Sequence, residues 1–400
     1  MPVLHLPPHP PALWPRFTSP LRSLALTARL GRVLGICFAI CFVTGLLSHY
    51  QYQAWSWLPE PASPVWLYRV TQGLHVTTGV ATIPLLLVKL WSVYPRLFTW
   101  PPVRTLIEVV ERLSVFVLVS SALVELLTGF VNTLDWYPWP WSFVPVHRFL
   151  GYVLIGSLVL HIAVKLPDIS RGLATPLAHD GTGSEDDTSS DDGTVSEDDT
   201  GSDRPGVLSR RGLLVATGST MGLVIATSVG STITPLQHIG LLNVRQSAGA
   251  PQGVPVNKTA AQARIAGHAQ SATWRLQVMG PIGFTLGLEE VERLAQHAAD
   301  LPIACVEGWS VGAHWRGLRL IDLVRRAGGN SDSQIRVVSL EQHGSYRTSI
   351  VDGPQVGQAL LATHLNNERL DLDHGYPLRL IAPNRAGVHN TKWLSRIEVL

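Results

Sequence analysis

Cysteine is scarce in this chain: three in 400 residues, too few for a disulfide framework. Cys37 and Cys41 lie in an apolar run and read as small packing residues, so only Cys305 stands in a polar, loop-like setting. Charge is scarce as well. Charged residues make up 15% of the chain and mean hydropathy is +0.19, which argues against one soluble globule and for a partly membrane-embedded chain. The net charge of +2 says little by itself, because about a third of the acidic residues fall between Asp180 and Asp203 and leave the rest more basic. That asymmetry bears on topology, and no nucleic-acid partner is expected. The length leaves room for two domains or more.

Long apolar runs are present. Five approach the ~20 residues that cross a bilayer core as helix: Val33 to His49, Leu74 to Tyr94, Leu113 to Asn132, His147 to Lys165 and Leu213 to Gly230. Arg16, Arg22, Arg29 and Arg32 precede the first. Lys89, Arg96, Arg104 and Arg112 fill the connection after the second, and Lys165, Arg171, Arg204, Arg210 and Arg211 that after the fourth. The remaining connections hold little charge beyond Arg69 and Arg148 and are rich in Trp, such as Trp55, Trp57, Trp136, Trp139 and Trp141. The positive-inside rule and the aromatic belt then predict a multi-pass protein of the cell membrane, in contact with lipid, with a cytoplasmic amino terminus and everything after the fifth span outside.

The pattern divides the chain into a four-helix membrane domain over 1–172, an acidic linker over 173–208, a fifth span over 209–232, an irregular lead-in over 233–271 and a final domain over 272–400. The linker repeats Ser-Glu-Asp-Asp-Thr and holds almost nothing that could pack, which predicts a solvated, disordered cytoplasmic segment. Ser209-Arg210-Arg211-Gly212-Leu213-Leu214 before an apolar run resembles a twin-arginine export signal, with the export machinery as the implied partner. Ordinary positive-inside flanking is the alternative. No small-residue cleavage site follows, so the span is expected to stay as an anchor. From Thr273 onward, short β runs alternate with amphipathic helices near Leu288 to Ala299 and Leu318 to Ala327, which predicts an α+β domain.

Histidines in the apolar runs suggest haem. His147 and His161 are fourteen residues apart, which places them on nearly one helix face about 21 Å apart along the axis. His75 begins the second run as His147 begins the fourth, so the two share a depth and are the candidate axial ligands of a b-type haem. A second haem at His161 would need a partner such as Lys89; a quinone-site or vestigial role is the alternative. His49 is a rival outer ligand. Glu125 reads either as a proton acceptor for quinol oxidation or as a neutral buried acid.

Cys305 follows a strand and enters a loop, the setting of a thiolate presented to a site. The stretch Pro302 to Ser310, together with Trp315-Arg316-Gly317-Leu318, Asn366-Asn367-Glu368-Arg369-Leu370, His374-Gly375-Tyr376-Pro377-Leu378-Arg379-Leu380 and Lys392-Trp393, resembles the molybdopterin domain of the sulfite oxidase family. The resemblance covers about Ala272 to Leu400. It implies that Cys305 supplies the protein thiolate to molybdenum, and that His374, Arg379 and Lys392 hold the pterin and its phosphate. Asn257 and Lys258 correspond loosely to an upstream cofactor contact. Arg suits phosphate as a planar fork, Lys as a point charge and His as a neutral donor.

One departure bears on substrate. Family sulfite oxidases follow the metal cysteine with a segment bearing arginines, whereas Val306-Glu307-Gly308-Trp309 stands here, and an ionised Glu307 would repel an anion. The Cys-Val-Glu-x-Trp-Ser run resembles more closely the catalytic subunit of bacterial periplasmic methionine-sulfoxide reductases. The expected architecture is therefore an all-α transmembrane bundle of four spans plus a fifth anchor, followed by an α+β molybdopterin domain. The expected function passes electrons between quinone or quinol, a b haem and a molybdopterin site, reducing a small S-oxide or N-oxide. Three alternatives stay open: oxidation of sulfite or another small substrate with electrons to quinone, a haem carrier with a non-catalytic outer binding domain, and a molybdenum domain on an inert anchor.

Overall fold

The structure is a computed structural model that describes residues 19, 21–53, 55, 57–98, 105–177, 209–228, 245–295 and 297–400. Most of the acidic linker and the first part of the lead-in lie outside the described residues. Among the described residues, four helices are long and apolar enough to cross a membrane: α1 (Leu24–Tyr52), α2 (Leu67–Val93), α3 (Leu106–Thr133) and α4 (Phe143–Ala174). At 1.5 Å per residue each runs about 40 Å or more, beyond the ~30 Å of a hydrocarbon core, so each extends past its apolar run. The fifth run is also helix, α5 (Arg210–Ser228), but only 19 residues long and not among those four.

The chain forms two compact units. The first comprises 1–39, 79–128 and 141–224. Its core uses Leu26, Leu30, Leu34 and Phe38, spaced every four residues on one face of α1, against Leu85 and Leu86 of α2, Ala122 of α3 and Leu154 of α4. Leu213, Leu214 and Met221 of α5 pack on the same cluster. The Ser209 hydroxyl accepts the Gly212 N–H at 3.0 Å and caps α5, so Arg210 and Arg211 form its first turn. Lys89 Nζ donates to the Thr27 carbonyl at 2.6 Å, so α1 backbone already occupies this amine.

The second unit comprises 40–78, 129–140 and 225–400 and includes the β-rich carboxy-terminal domain. One sheet holds β1 (Arg275–Met279), β2 (Phe284–Gly287), β5 (Ile335–Ser339), β6 (Thr348–Val351) and β10 (Leu394–Val399), in the order β2-β1-β10-β5-β6. Only β1 and β10 run parallel. The other sheet holds β3 (His297–Ala304), β4 (Ser310–Arg319), β7 (Leu360–Leu365), β8 (Glu368–Arg369) and β9 (Arg379–Ile381), with β4 and β7 at its centre.

Alternation decides the faces. In β1, Leu276 and Val278 point inward while Arg275, Gln277 and Met279 point out. These inward residues join Ile335, Val337, Ile397 and the buried face of α9 (Leu320–Arg326) in one core. A second core, around Ile303, Trp315, Ala362 and Leu365, encloses Cys305.

Two expectations change. The helix expected over Leu288 to Ala299 stops at Leu294 as α8, because His297 to Ala299 pair with β4 as the start of β3. Long-range pairing overrides local helical periodicity there. The described part of the expected irregular lead-in is ordered: Thr259 forms a capping box with Gln262 on α6 (Ala260–Ala263), α7 spans Ala266–Ala269, and Ile265 and Ala269 pack with Trp393. A few spaced apolar residues were enough to pack, though too few to show a period.

Candidate functional site

Cys305 leaves β3 into a tight loop. Its N–H donates to the Trp309 carbonyl at 2.9 Å and its carbonyl accepts from Gly308 N–H at 3.0 Å. Gly308 has φ +97°, and a Cβ there would lie 2.9 Å from Val76, so both backbone and space require glycine. The sequence suggested a polar setting for Cys305, yet the residue is fully buried, enclosed by Trp309, Trp315 and Ile303. Burial, reinforced by nearby Glu307, pushes its thiol well above the usual range.

Two other segments meet it. The first is Asp371 to Arg379. Asp371 caps a single 3₁₀ turn over Leu372–His374, and Gly375 closes it at φ +113°. A Cβ on Gly375 would sit 3.2 Å from both Arg379 and Lys392, so this glycine lets the cationic residues close in. His374 Nε2 donates to the Pro251 carbonyl at 2.8 Å, which fixes the tautomer and leaves an Nδ1 lone pair with no partner. Burial lowers this histidine to about 4.

Arg379 starts β9, 2% exposed; it donates through one terminal nitrogen to the His374 carbonyl at 3.1 Å, while its Nε is unpartnered. Burial brings its guanidinium down to about 9. The second segment brings Lys392, whose Nζ donates to the carbonyls of Lys258 and Asp373 at 2.9 and 2.8 Å. Burial and neighbouring Arg379 hold this amine well below its usual range.

Two buried cations without a hydrogen-bonded carboxylate, beside an imidazole and a guanidinium nitrogen that lack partners, are costly unless an anion with donor groups completes them. A pterin carrying a phosphate has that chemistry, and a buried thiol beside it suits a soft metal. The residues therefore fit the molybdopterin cofactor. Lys258 enters through its backbone carbonyl, since its own amine pairs with Glu341 at 2.7 Å. Asn257 lies beside it, its carbonyl 3.4 Å from Arg245.

Glu307 does not stand free to repel an anion. Its carboxylate accepts from Trp309 Nε1 at 3.0 Å and from Arg245 at 3.3 Å, and Arg245 also pairs with Asp135. Burial raises Glu307 while Arg245 opposes the rise.

Several residues that sequence reasoning missed frame the same loop. Gln72 of α2 and Asn132 of α3 both donate to the Val306 carbonyl, at 3.1 and 3.0 Å. Asn384, at φ +58°, accepts from Gln51 at 2.5 Å and from Tyr68 N–H at 2.7 Å, and donates to the Pro61 carbonyl at 2.7 Å. Buried Arg385 follows it, facing Glu60 at 3.6 Å. The only available signal was a short Asn-Arg loop sequence.

Two histidines of the apolar runs, His75 and His147, have polar partners at Nδ1. His75 Nδ1 donates to the Cys41 carbonyl at 2.8 Å, which puts the lone pair on Nε2. In the other unit, His147 Nδ1 lies 2.8 Å from the Glu125 carboxylate, a carboxylate–imidazole pair. His49 stacks with Tyr52 at 6.1 Å. Among the described residues no group of three or more His, Cys, Asp and Glu is placed to hold a metal ion.

Residues 262–400 match the family model described as the oxidoreductase molybdopterin binding domain. The match begins ten residues before the boundary expected at 272. Mitochondrial sulfite oxidase of Drosophila melanogaster is 32% identical over 143 residues, 29% of this chain and 25% of the relative. The uncharacterized oxidoreductase YuiH of Bacillus subtilis (strain 168) is 30% identical over 129 residues, 31% of this chain and 64% of the relative. The chain thus spans about a quarter of the sulfite oxidase and under two thirds of YuiH. The sulfane dehydrogenase SoxCD of Paracoccus pantotrophus aligns over 32% of this chain and 38% of its own at 19% identity, with a TM-score of 0.29, too low to add to the case.

Proposed function

We propose that this chain is a membrane-bound oxidoreductase that passes electrons between a quinone pool, a b-type haem and a molybdopterin site outside the cytoplasm, reducing a small S-oxide or N-oxide. Bound there, molybdenum and its dithiolene would supply two-electron oxygen-atom chemistry, and a haem would supply single-electron transfer. Cys305 would hold the metal after giving up its thiol proton. Arg379 and Lys392 would bind the phosphate, and His374 would accept a pterin N–H at Nδ1. His75 and His147 are the candidate haem ligands, with Glu125 fixing the imidazole of His147.

The observation that carries the reading is the convergence of Cys305, His374, Arg379 and Lys392 around polar atoms that the protein leaves unpaired. A neutral substrate is favoured because Glu307, next but one to Cys305, occupies Arg245 and leaves no cation on this loop for an anion. The names of the curated relatives favour a second reading, sulfite oxidation with electrons passed to quinone.

One experiment decides between them. Detergent-purified protein and Cys305→Ser are analysed for molybdenum and by pyridine haemochrome, then reduced with dithionite and given methionine sulfoxide. Molybdenum and haem near one per chain, with reoxidation by the S-oxide in the wild type alone, are expected. Haem reduction by sulfite would establish the second reading. Haem without molybdenum would make the outer domain a binding module and overturn both.

A further inference from the structure

The last residue of α1 is built into the surroundings of Cys305. Tyr52 packs with Tyr68, Ala304, Val306 and Ala386, and two of these flank Cys305 in the chain. Its phenol oxygen lies 2.9 Å from that of Tyr346, which the β5–β6 connection delivers. Both rings meet His389 edge-on, Tyr52 at 4.7 Å and 62° and Tyr346 at 5.5 Å and 84°. The preceding residue, Gln51, fixes the position of this helix end through Asn384, in the loop that also carries Arg385 and His389.

A count of hydrogen-bonding groups shows what the cluster lacks. Two phenols bring two O–H protons, and the single O···O contact between them uses one. His389 Nε2 and a terminal nitrogen of Arg385 are buried with no hydrogen-bond partner. Arg385 is 94% buried (6% exposed), so its unused donor is costly unless a ligand takes it up. Burial keeps the Tyr346 phenol protonated and holds His389 at about 3, so both are neutral at pH 7. Tyr346 is nevertheless 39% exposed, which gives solvent a way in.

We propose that Tyr52 and Tyr346, backed by His389, form the oxygen-binding wall of the substrate site, hydrogen-bonding the oxygen of a neutral S-oxide or N-oxide, and that the site is incomplete without α1. This rests on the reductase reading above. Neutral donors suit a strongly polar but uncharged acceptor, and the edge-on aromatic rings favour the alkyl groups beside it.

The test uses full-length, cofactor-loaded protein in detergent, with Tyr52→Phe and Tyr346→Phe, each removing one hydroxyl and keeping the ring. Dimethyl sulfone, which presents the same oxygen acceptor, is titrated by calorimetry, and molybdenum content is measured alongside. Wild type binds, each variant weakens binding about three- to tenfold, and molybdenum content stays unchanged. The double variant loses less than the product of the two, because the phenols act as a pair. Equal binding by all forms, or none by the wild type, overturns the proposal. Molybdenum loss in Tyr346→Phe also overturns it, by assigning the pair to cofactor retention. Methionine-sulfoxide turnover is scored separately. Turnover with KM unchanged in both variants sinks the wall and keeps the reductase, whereas hydroxyl-dependent sulfone binding without turnover does the reverse.

Discussion

Arg379 and Lys392 are the side chains whose surroundings make least sense without a bound anion. Each is a buried cation, Arg379 adds to the burial that lowers Lys392, and neither donates a hydrogen bond to a carboxylate. Arg379→Met replaces the guanidinium with an apolar chain of similar length. Apo protein carrying it should melt no lower than wild type, while molybdenum retained after gel filtration should fall about ten- to a hundredfold, the worth of charge-assisted bonds to phosphate. A lower apo melting point with full molybdenum would show that the arginine serves the fold alone. His374 adds a pH dependence. Its folded value of about 4 lies below the ordinary 6.5, so the unfolded chain binds the proton more readily between those values. Stability from this group is complete above pH 6.5 and lost as pH falls toward 4, by about 3 kcal/mol in all. His374→Gln should flatten the melting-temperature profile of the apo protein across that window. Part of this was legible: the setting of Cys305 suggested a ligating thiolate and the family resemblance implied His374, Arg379 and Lys392, but nothing local announced that Glu307 would be tied down by Arg245.

Element by element, the Cys305 loop between β3 and β4, the turn leading into β9 and the segment of Lys392 carry the site. Gly317 shows why the Trp-Arg-Gly-Leu sequence is constrained: a Cβ there would lie 2.0 Å from the Leu361 carbonyl, at a register shift between β4 and β7. Gly317→Ala forces the two central strands of this sheet apart and should cost about 3 kcal/mol, read as a drop in denaturation midpoint. An unchanged midpoint would mean that the bulge absorbs the methyl group. The long helices were visible as apolar runs, and α9 was visible from its periodicity and the Gly328-Gly329 stop. The start of β3 was not, because His297 to Ala299 read equally well as a helix end and only pairing with β4 settles the matter.

Across the whole molecule, the segments 40–78 and 129–140 belong to the same compact unit as the β-rich domain. Gln72 and Asn132 hold the Val306 carbonyl, and Glu60 faces Arg385. A fragment of residues 245–400 should therefore melt about 5–10 °C below the same domain in the full chain, given the loss of several hydrogen bonds at about 1 kcal/mol each. Equal melting would show that the helix ends add nothing to it. Apolar run length determined the helices by itself, since burial of 18 or more consecutive apolar residues leaves a chain few other forms. Strand alternation determined much of the sheet content, and Cys305 stood out from the sequence as a candidate thiolate, while its cationic neighbours came only from the family resemblance. Only the tertiary structure decided that Tyr52 meets Tyr346, 294 residues away, and that Gln72 meets Val306, 234 away. Such pairs have no period and no local propensity; they exist because two segments distant in sequence present complementary polar groups at the same place within one compact unit, and a linear pattern does not record that.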